Sequence, residues 1–364
     1  MIYLSKPYRI AVIPGDGIGP EVTDEALKVL DAVSDVCGLS FERDILPWGS
    51  EYYLDKGKMY DDDAFKIMNG YDAVLLGAIG DPRVPDAVSV RMVIDTRFNL
   101  DQYVNLRPVK GYKGVPSYFK HVRPEDIDFC VVRENSEGEY SNAGGRFKRD
   151  TCDEIAIQTS IFTRKGTERV MRYAFELARE RHARGMTRKP SVTSCTKSNA
   201  LAYSMVFWDS VFEGVSREYP DVSVGKAMVD AITMWFVKNP QDFDVVVASN
   251  LFGDIITDLA AMLQGGLGFA AGGNINPERT SPSMFEPIHG SAPKYAGKNV
   301  ANPIASILSV EMMLEHIGET EAADRIEQAV SEVLSAGEVK LKDMGGTTST
   351  EETGDIICRH IYPV

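Results

Sequence analysis

Asp254 and Asp258 lie four residues apart in GDIITDLA, so in a helix both carboxylates leave the same face about one turn apart. Two hard oxygen donors at that spacing suit Mg2+ or Mn2+, whereas zinc takes His or Cys. The spacing also fits a first helical turn in which Asp254 caps and Asp258 is solvated, because acidic residues are favoured there. What precedes the pair favours the ligand reading. Val245-Val246-Val247-Ala248-Ser249-Asn250 is a short apolar, β-branched run that predicts a buried parallel strand, and open α/β sheets hold ligands just past the C-terminal ends of such strands. Downstream, Gly265, Gly266, Gly268, Gly272 and Gly273 leave little room for side chains before FEPIHGSAPKYAG. Glycines let backbone N–H groups approach a phosphate, and Lys294 and Tyr295 could add charge and a hydroxyl.

Several elements must position these groups. Arg9–Ile13 reads as a strand entering Pro14-Gly15-Asp16-Gly17-Ile18-Gly19-Pro20-Glu21-Val22, with a helix to about Val36 whose apolar face is Val22, Ala26, Val29, Leu30 and Val33. Its glycines do not fit the dinucleotide fingerprint of a Rossmann fold. Residues 71–78 and 129–132 predict further buried strands, residues 155–162 a half-exposed strand, and residues 191–197 a strand delivering Lys197. Asp81–Ile94 reads as irregular, Arg164–Arg184 as an amphipathic helix, Leu314–Leu334 as one closing helix and Glu351–His360 as the last helix.

The 364 residues carry a formal net charge of −14 with 44% hydrophobic residues, enough for a large core in two domains. Such acidity argues against nucleic acid or an anionic membrane as partner. No apolar run approaches a bilayer span and no basic-then-apolar leader opens the sequence, so the expected compartment is the cytoplasm. Cys37, Cys130, Cys152, Cys195 and Cys358 are odd in number and scattered, which predicts reduced thiols rather than disulfides or a zinc site.

Six stretches then occur in one order: IAVIPGDGIGPEV, LDQYVNLRPVKGYKGVP, VVRENSEGEYSNAGGR, SCTKSNA, VASNLFGDIITDL and FEPIHGSAPKYAGKNVANP. In them the chain resembles the metal-dependent decarboxylating β-hydroxyacid dehydrogenases, the isocitrate, isopropylmalate and D-malate/tartrate dehydrogenase family, over nearly its whole length. DQYVNLRP, RENSEGEYSNAGGR and QTSIFTRKGTERVMRYAFELAR are most similar to the D-malate/tartrate branch. The resemblance implies an α/β, two-domain fold with a large mixed sheet flanked by helices, not a Rossmann fold. Residues 1–102 and 265–364 would form a large cofactor-binding domain, and 103–264 a small domain carrying substrate, metal and dimer-interface residues.

The same resemblance implies roles for single residues. Arg97, Arg107 and Arg133 match the set that grips the carboxylates of a malate skeleton, for which planar guanidinium is suited. Tyr140 matches a proton donor and Lys197 a catalytic lysine. Asp230 in MVDAITMWFV matches a third metal carboxylate, and a lone Asp in so apolar a helix is costly unless paired or coordinating. In relatives this lysine and aspartate come from the neighbouring subunit, so a homodimer with shared active sites is implied. Glu286, His289, Gly290, Ser291, Ala292, Lys294, Tyr295 and Asn302 fall at cofactor-binding positions. The expected cofactors are Mg2+ or Mn2+ and a nicotinamide dinucleotide, in a reaction that oxidises and decarboxylates a malate-type 2-hydroxy acid.

Two departures from the D-malate/tartrate pattern bear on specificity. Where that branch has an acidic residue that reads the NAD ribose, this chain has Lys294, followed by Tyr295 as in NADP-dependent isocitrate dehydrogenases. NADP is therefore the expected coenzyme, with NAD the alternative, and Lys340 a further cation in reach. Arg91 and Val93 occupy positions that select the substrate's γ-group. An inward Arg91 implies a further anion, as in isocitrate or a phosphonate-bearing malate; an outward one leaves apolar neighbours that fit malate, tartrate or an alkylmalate such as isopropylmalate. Outside enzymes, the alternative is a catalytically silent regulatory homologue, which would be expected to lose Lys197, Tyr140 or a metal aspartate; all are present.

Overall fold

The computed structural model describes residues 6–117, 119 and 121–362. Tyr8–Gly15 (β1) leads into Gly19–Cys37 (α1), Phe41–Ile45 (β2), Ser50–Lys56 (α2), Ala64–Met68 (α3), Ala73–Ala78 (β3), Asp86–Asn99 (α4) and Val104–Lys110 (β4). There follow Asp128–Glu134 (β5), Gly138–Phe147 (β6), Ile155–Ile161 (β7), Arg164–Ala183 (α5), Ser191–Thr196 (β8), Ser204–Ser216 (α6), Ser223–Met228 (β9) and Val229–Lys238 (α7). The chain then forms Val245–Ala248 (β10), Asn250–Leu263 (α8), Ala271–Ile275 (β11), Ser283–Pro287 (β12), Ile304–Ile317 (α9), Thr320–Ala336 (α10) and Thr350–Ile361 (α11).

These elements fall into two compact units. One comprises the residues up to Gln102, Lys110–Glu125 and those from Ala261 on; the other Tyr103–Val109 and Asp126–Ala260. In the first, the strand order is β2-β1-β3-β12-β11. β1 runs parallel to β2 and β3, and β3 to β12, while β11 is antiparallel to β12. The reversal makes the sheet mixed, as expected, and excludes the all-parallel Rossmann order. Because side chains alternate along a strand, Ala11, Ile13, Val74 and Leu76 share one face and close a cluster with Trp48, Met59, Met68, Met92 and Leu100. α1 starts at a proline in its first turn and stops at Gly38, whose φ of 68° is left-handed, a conformation open to glycine. Its buried stripe includes Val22, Ala26, Val29, Leu30 and Val33, the face read from the sequence.

Two expectations for this unit are corrected. The segment around Asp81–Ile94 is not irregular throughout: α4 occupies Asp86–Asn99. Its buried residues are Ser89, Met92 and Thr96, spaced as a helical stripe but mostly polar, so hydrophobic periodicity carried no signal. Leu314–Leu334 is not one helix. Gly318, at φ 100°, ends α9 before α10 begins, and glycine there costs nothing that a β-carbon would.

In the second unit the order is β4-β5-β10-β8-β9, with β10 parallel to β5 and β8, and β8 parallel to β9. Val245, Val246 and Val247 are wholly buried, with α5 packed over β5, β10 and β8. β6 and β7 form a separate antiparallel ribbon. β7 is exposed at every residue rather than at alternate ones, because the ribbon stands apart from the sheet. All five cysteines are free thiols, and among the described residues no helix is long and apolar enough to cross a membrane.

Candidate functional site

In the second unit the chemistry gathers on α8. The helix begins at Asn250, so Asp254 sits in its second turn and is not a cap. Asp254 and Asp258 leave one face, as their spacing required. Arg133, at the end of β5, is only 2% exposed and is fixed through all three guanidinium nitrogens. Its Nε and Nη2 donate to Asn250 Oδ1 at 3.1 and 2.8 Å, and its Nη1 pairs with Asp254 Oδ1. Gly253 makes this approach possible: a β-carbon there would stand 2.5 Å from Arg133 Cγ. Beyond Arg133 the Glu134 carboxylate accepts from the backbone and hydroxyl of Ser136 at 2.8 and 2.7 Å and from Glu137 N at 2.8 Å. That turn carries the chain into β6 and brings Tyr140 OH to 2.9 Å from Asp254 Oδ2. The Arg133 guanidinium lies 5.6 Å from the Tyr140 ring centre.

Arg107 belongs to the same unit. It is buried, with Nε donating to Asn105 Oδ1 at 2.7 Å and Nη1 to Thr257 Oγ1 at 3.4 Å. Partial burial pushes the Asp258 carboxyl above its usual range; Arg107 and Arg133 pull it down and the Asp254 charge pushes it further up. A carboxylate raised by burial and a like charge is one that a divalent cation would relieve, and hard oxygens suit magnesium or manganese. Asp254 and Asp258 therefore fit a metal. Among the described residues no third His, Cys, Asp or Glu joins them to complete a metal cage.

Asp230 is engaged elsewhere. Lys197, just past β8, donates to Asp230 Oδ1 at 2.6 Å, and that ammonium holds the Asp230 carboxyl below its usual range. The carboxylate is exposed near the start of α7 rather than buried in an apolar helix. The rest of α7 shows Met234, Trp235 and Val237 to solvent, at 63%, 47% and 38%.

The first unit holds the other group of sequence-predicted residues. Asp16, buried in the glycine turn after β1, accepts from Ser50 N at 2.8 Å, Ser50 Oγ at 2.7 Å and Gly80 N at 2.7 Å. Ile18 N donates to Ser291 O at 2.8 Å, and a β-carbon on Gly17, at φ 61°, would sit 2.0 Å from that oxygen. This ties the turn to the His289–Tyr295 loop. His289 Nδ1 lies 3.0 Å from Gly290 O, while Nε2 is buried and among the described residues has no hydrogen-bond partner. Burial holds the imidazole below its usual pKa and so neutral. An orphaned, neutral ring nitrogen beside an open Gly290 fits a nucleotide base or ribose. Ala292 adopts a left-handed φ of 39° at the bend into Lys294 and Tyr295. Asn302 Oδ1 accepts from Ile304 N at 3.0 Å and its Nδ2 donates to Asp343 at 2.9 Å.

Four predicted residues of the first unit already have partners within it. Arg97 Nε donates to Asn274 at 2.9 Å and its Nη2 reaches Glu286 at 3.3 Å, so Arg97 and Glu286 hold each other. Arg91 has a 62% exposed side chain paired with Asp95 at 3.3 Å. Val93 packs against the Trp48–Met92 cluster. Asn250, Gly253 and Asn105 were not singled out in the sequence, although each lies inside a motif quoted for its neighbours.

Comparison with known proteins defines an oxidoreductase acting on a CH–OH group. Residues 9–357 match the model of the isocitrate/isopropylmalate dehydrogenase family, and the chain belongs to that family. It is 46% identical over 359 residues to a probable tartrate dehydrogenase/decarboxylase of Bacillus subtilis, covering 98% of each chain. It is 46% identical to the decarboxylating D-malate dehydrogenase of Escherichia coli, covering 98% of this chain and 99% of that one. It is 48% identical to a 3-isopropylmalate dehydrogenase of Thermobifida fusca, covering 98% of both. The crystal structure of isocitrate dehydrogenase from Methylococcus capsulatus superposes with a TM-score of 0.86 at 38% identity, over 97% of this chain and 99% of that one.

Proposed function

We propose that the chain oxidatively decarboxylates a malate-type 2-hydroxy acid, of the D-malate or tartrate kind, passing hydride to NADP. The observation that carries this is Asp254, whose two oxygens are shared between Arg133 and Tyr140 while Asp258 stands one turn away. The relatives named for tartrate and D-malate support the substrate class. A divalent cation held by Asp254 and Asp258 would act as a Lewis acid on the substrate's oxygens and lower the hydroxyl pKa. The rest falls to the chain's own side chains. Arg107 and Arg133, pre-oriented by Asn105, Thr257 and Asn250, would bind the carboxylates bidentately. Lys197 would take the hydroxyl proton. Tyr140, at the edge of the site, would deliver a proton to the carbon that loses CO2.

Asp230 and Lys197 form one pair in a single chain, and among the described residues no group of three metal-ligating side chains forms. This supports a homodimer in which the partner supplies that pair to the metal site, with the apolar side chains of α7 at the interface. Arg91, open to solvent and held by Asp95, favours unsubstituted malate or tartrate over a substrate with a further anion. Lys294 and Tyr295 support NADP over NAD.

The test is nicotinamide reduction with Mn2+, running D-malate, tartrate, isopropylmalate, isocitrate and a phosphonate-bearing malate against NAD+ and NADP+. The expected outcome is fastest turnover of D-malate or tartrate with NADP+. Turnover confined to a substrate with an extra anion would overturn the reading of Arg91, and a clear preference for NAD+ that of Lys294 and Tyr295. No turnover with any metal would favour a silent homologue.

A further inference from the structure

Lys342 lies in a short turn, Lys342–Met344, far along the chain from the His289–Tyr295 loop. Its Nζ stands 4.8 Å from the centre of the Tyr295 ring, the same distance as Lys294 Nζ. The ring is a fixed platform, because it packs against Ile18, Val22 and Ala301. Two ammonium groups over one ring are no farther apart than twice that distance, a gap that one phosphate and two flexible lysine stems can close.

The nearby acids do not neutralise them. Asp343 accepts from Asn302 Nδ2 at 2.9 Å, and Glu21 accepts from the backbone N–H groups of Gly297 and Asn299. Among the described residues neither Lys294 nor Lys342 has a carboxylate within ion-pair distance, in a chain whose net charge is −14. Like charges gathered without an anion repel. A dianionic phosphomonoester would relieve the repulsion, with two point-charge donors and the Tyr295 hydroxyl available.

We propose that Lys342 is the second cation for the ribose 2′-phosphate of NADP, gripping it together with Lys294 across Tyr295. This rests on the coenzyme reading above and extends it to a residue outside the motif that suggested it. Both lysines are exposed, so Lys342→Met and Lys294→Met should fold as the parent does. The direct probe is calorimetric binding of 2′,5′-ADP and of 5′-AMP to the full-length protein. The parent should bind 2′,5′-ADP more tightly. Lys342→Met should weaken that binding by about tenfold, leave 5′-AMP within about twofold, and flatten the salt dependence. Lys342→Arg should restore most of it, and kcat/KM for NADP+, not NAD+, should follow. If Lys342→Met binds 2′,5′-ADP like the parent while Lys294→Met does not, the role of Lys342 is refuted and the coenzyme reading stands. If the parent does not discriminate 2′,5′-ADP from 5′-AMP, both fall.

Discussion

Gly253→Ala is a one-atom test of how the site is built. In a helix interior, alanine is ordinarily better than glycine by about 1 kcal/mol, so a spectator position would gain stability. Here the new β-carbon would stand 2.5 Å from Arg133 Cγ and 2.7 Å from its Cβ, where ordinary contact begins at 3.4 Å. The arginine must therefore retreat by roughly 1 Å, since overpacked side chains shift rather than compress. It has nowhere free to go: the side chain is 2% exposed and bonded to Asn250 and Asp254. Overpacking of this kind costs about 1–3 kcal/mol, and a weakened charge-assisted hydrogen bond about 1.5–3 kcal/mol. Against the propensity gain, a net loss of about 2 kcal/mol is expected, read as a fall of several degrees in Tm. Activity should suffer more, because a guanidinium misplaced by about 1 Å costs on the order of a hundredfold in kcat/KM. Calorimetric unfolding and steady-state kinetics with D-malate check the two halves. An alanine variant that is more stable than the parent and fully active would refute the packing of Arg133 over α8.

Other substitutions probe separate parts of the site. Asp258→Asn should raise the half-saturating Mn2+ concentration by about a hundredfold yet leave stability within about 0.5 kcal/mol, since this carboxylate accepts no hydrogen bond among the described residues; metal titration of activity beside thermal unfolding separates the two. Lys197→Ala and Asp254→Asn chains, each inactive, should on unfolding and co-refolding recover about a quarter of parental activity, because half the dimers would carry one intact shared site; no recovery would place both residues in one chain's site. His316 packs beside Phe285 at 5.5 Å, and burial, aided by Arg279, pushes its imidazole down to about 4. The unfolded chain takes up a proton below about pH 6.5 that the folded chain refuses, so stability should fall between about pH 6.5 and 4 by at most about 3 kcal/mol from this group. His316→Leu should flatten that slope in urea unfolding; parallel profiles for variant and parent would show that another group sets it.

Much of the site was legible because its groups sit on short-range patterns. The valine run before α8, the aspartates one turn apart and the Gly15–Gly19 turn each declare their structure within a few residues. What stayed hidden depends on distant packing. Gly253 reads as an ordinary helix glycine until Arg133, far upstream, is laid across it. Lys342 reads as surface charge until its turn is folded over Tyr295. α4 escaped detection because its inward residues include Ser89 and Thr96, and the break between α9 and α10 because a single Gly318 interrupts a continuous apolar rhythm. The sequence also suggested three arginines acting alike. Their partners differ: Arg97 bonds Asn274 and Glu286 in the first unit, whereas Arg107 and Arg133 lie in the second with the aspartates.

The most direct test of the account is stoichiometry: CO2 released and nucleotide reduced, measured together with D-malate and Mn2+ before and after a chelator. One CO2 per reduced nucleotide, both abolished by the chelator and restored by metal, is the expected result. Reduction without CO2, or turnover indifferent to the chelator, would contradict a metal-assisted oxidative decarboxylation at Asp254 and Asp258.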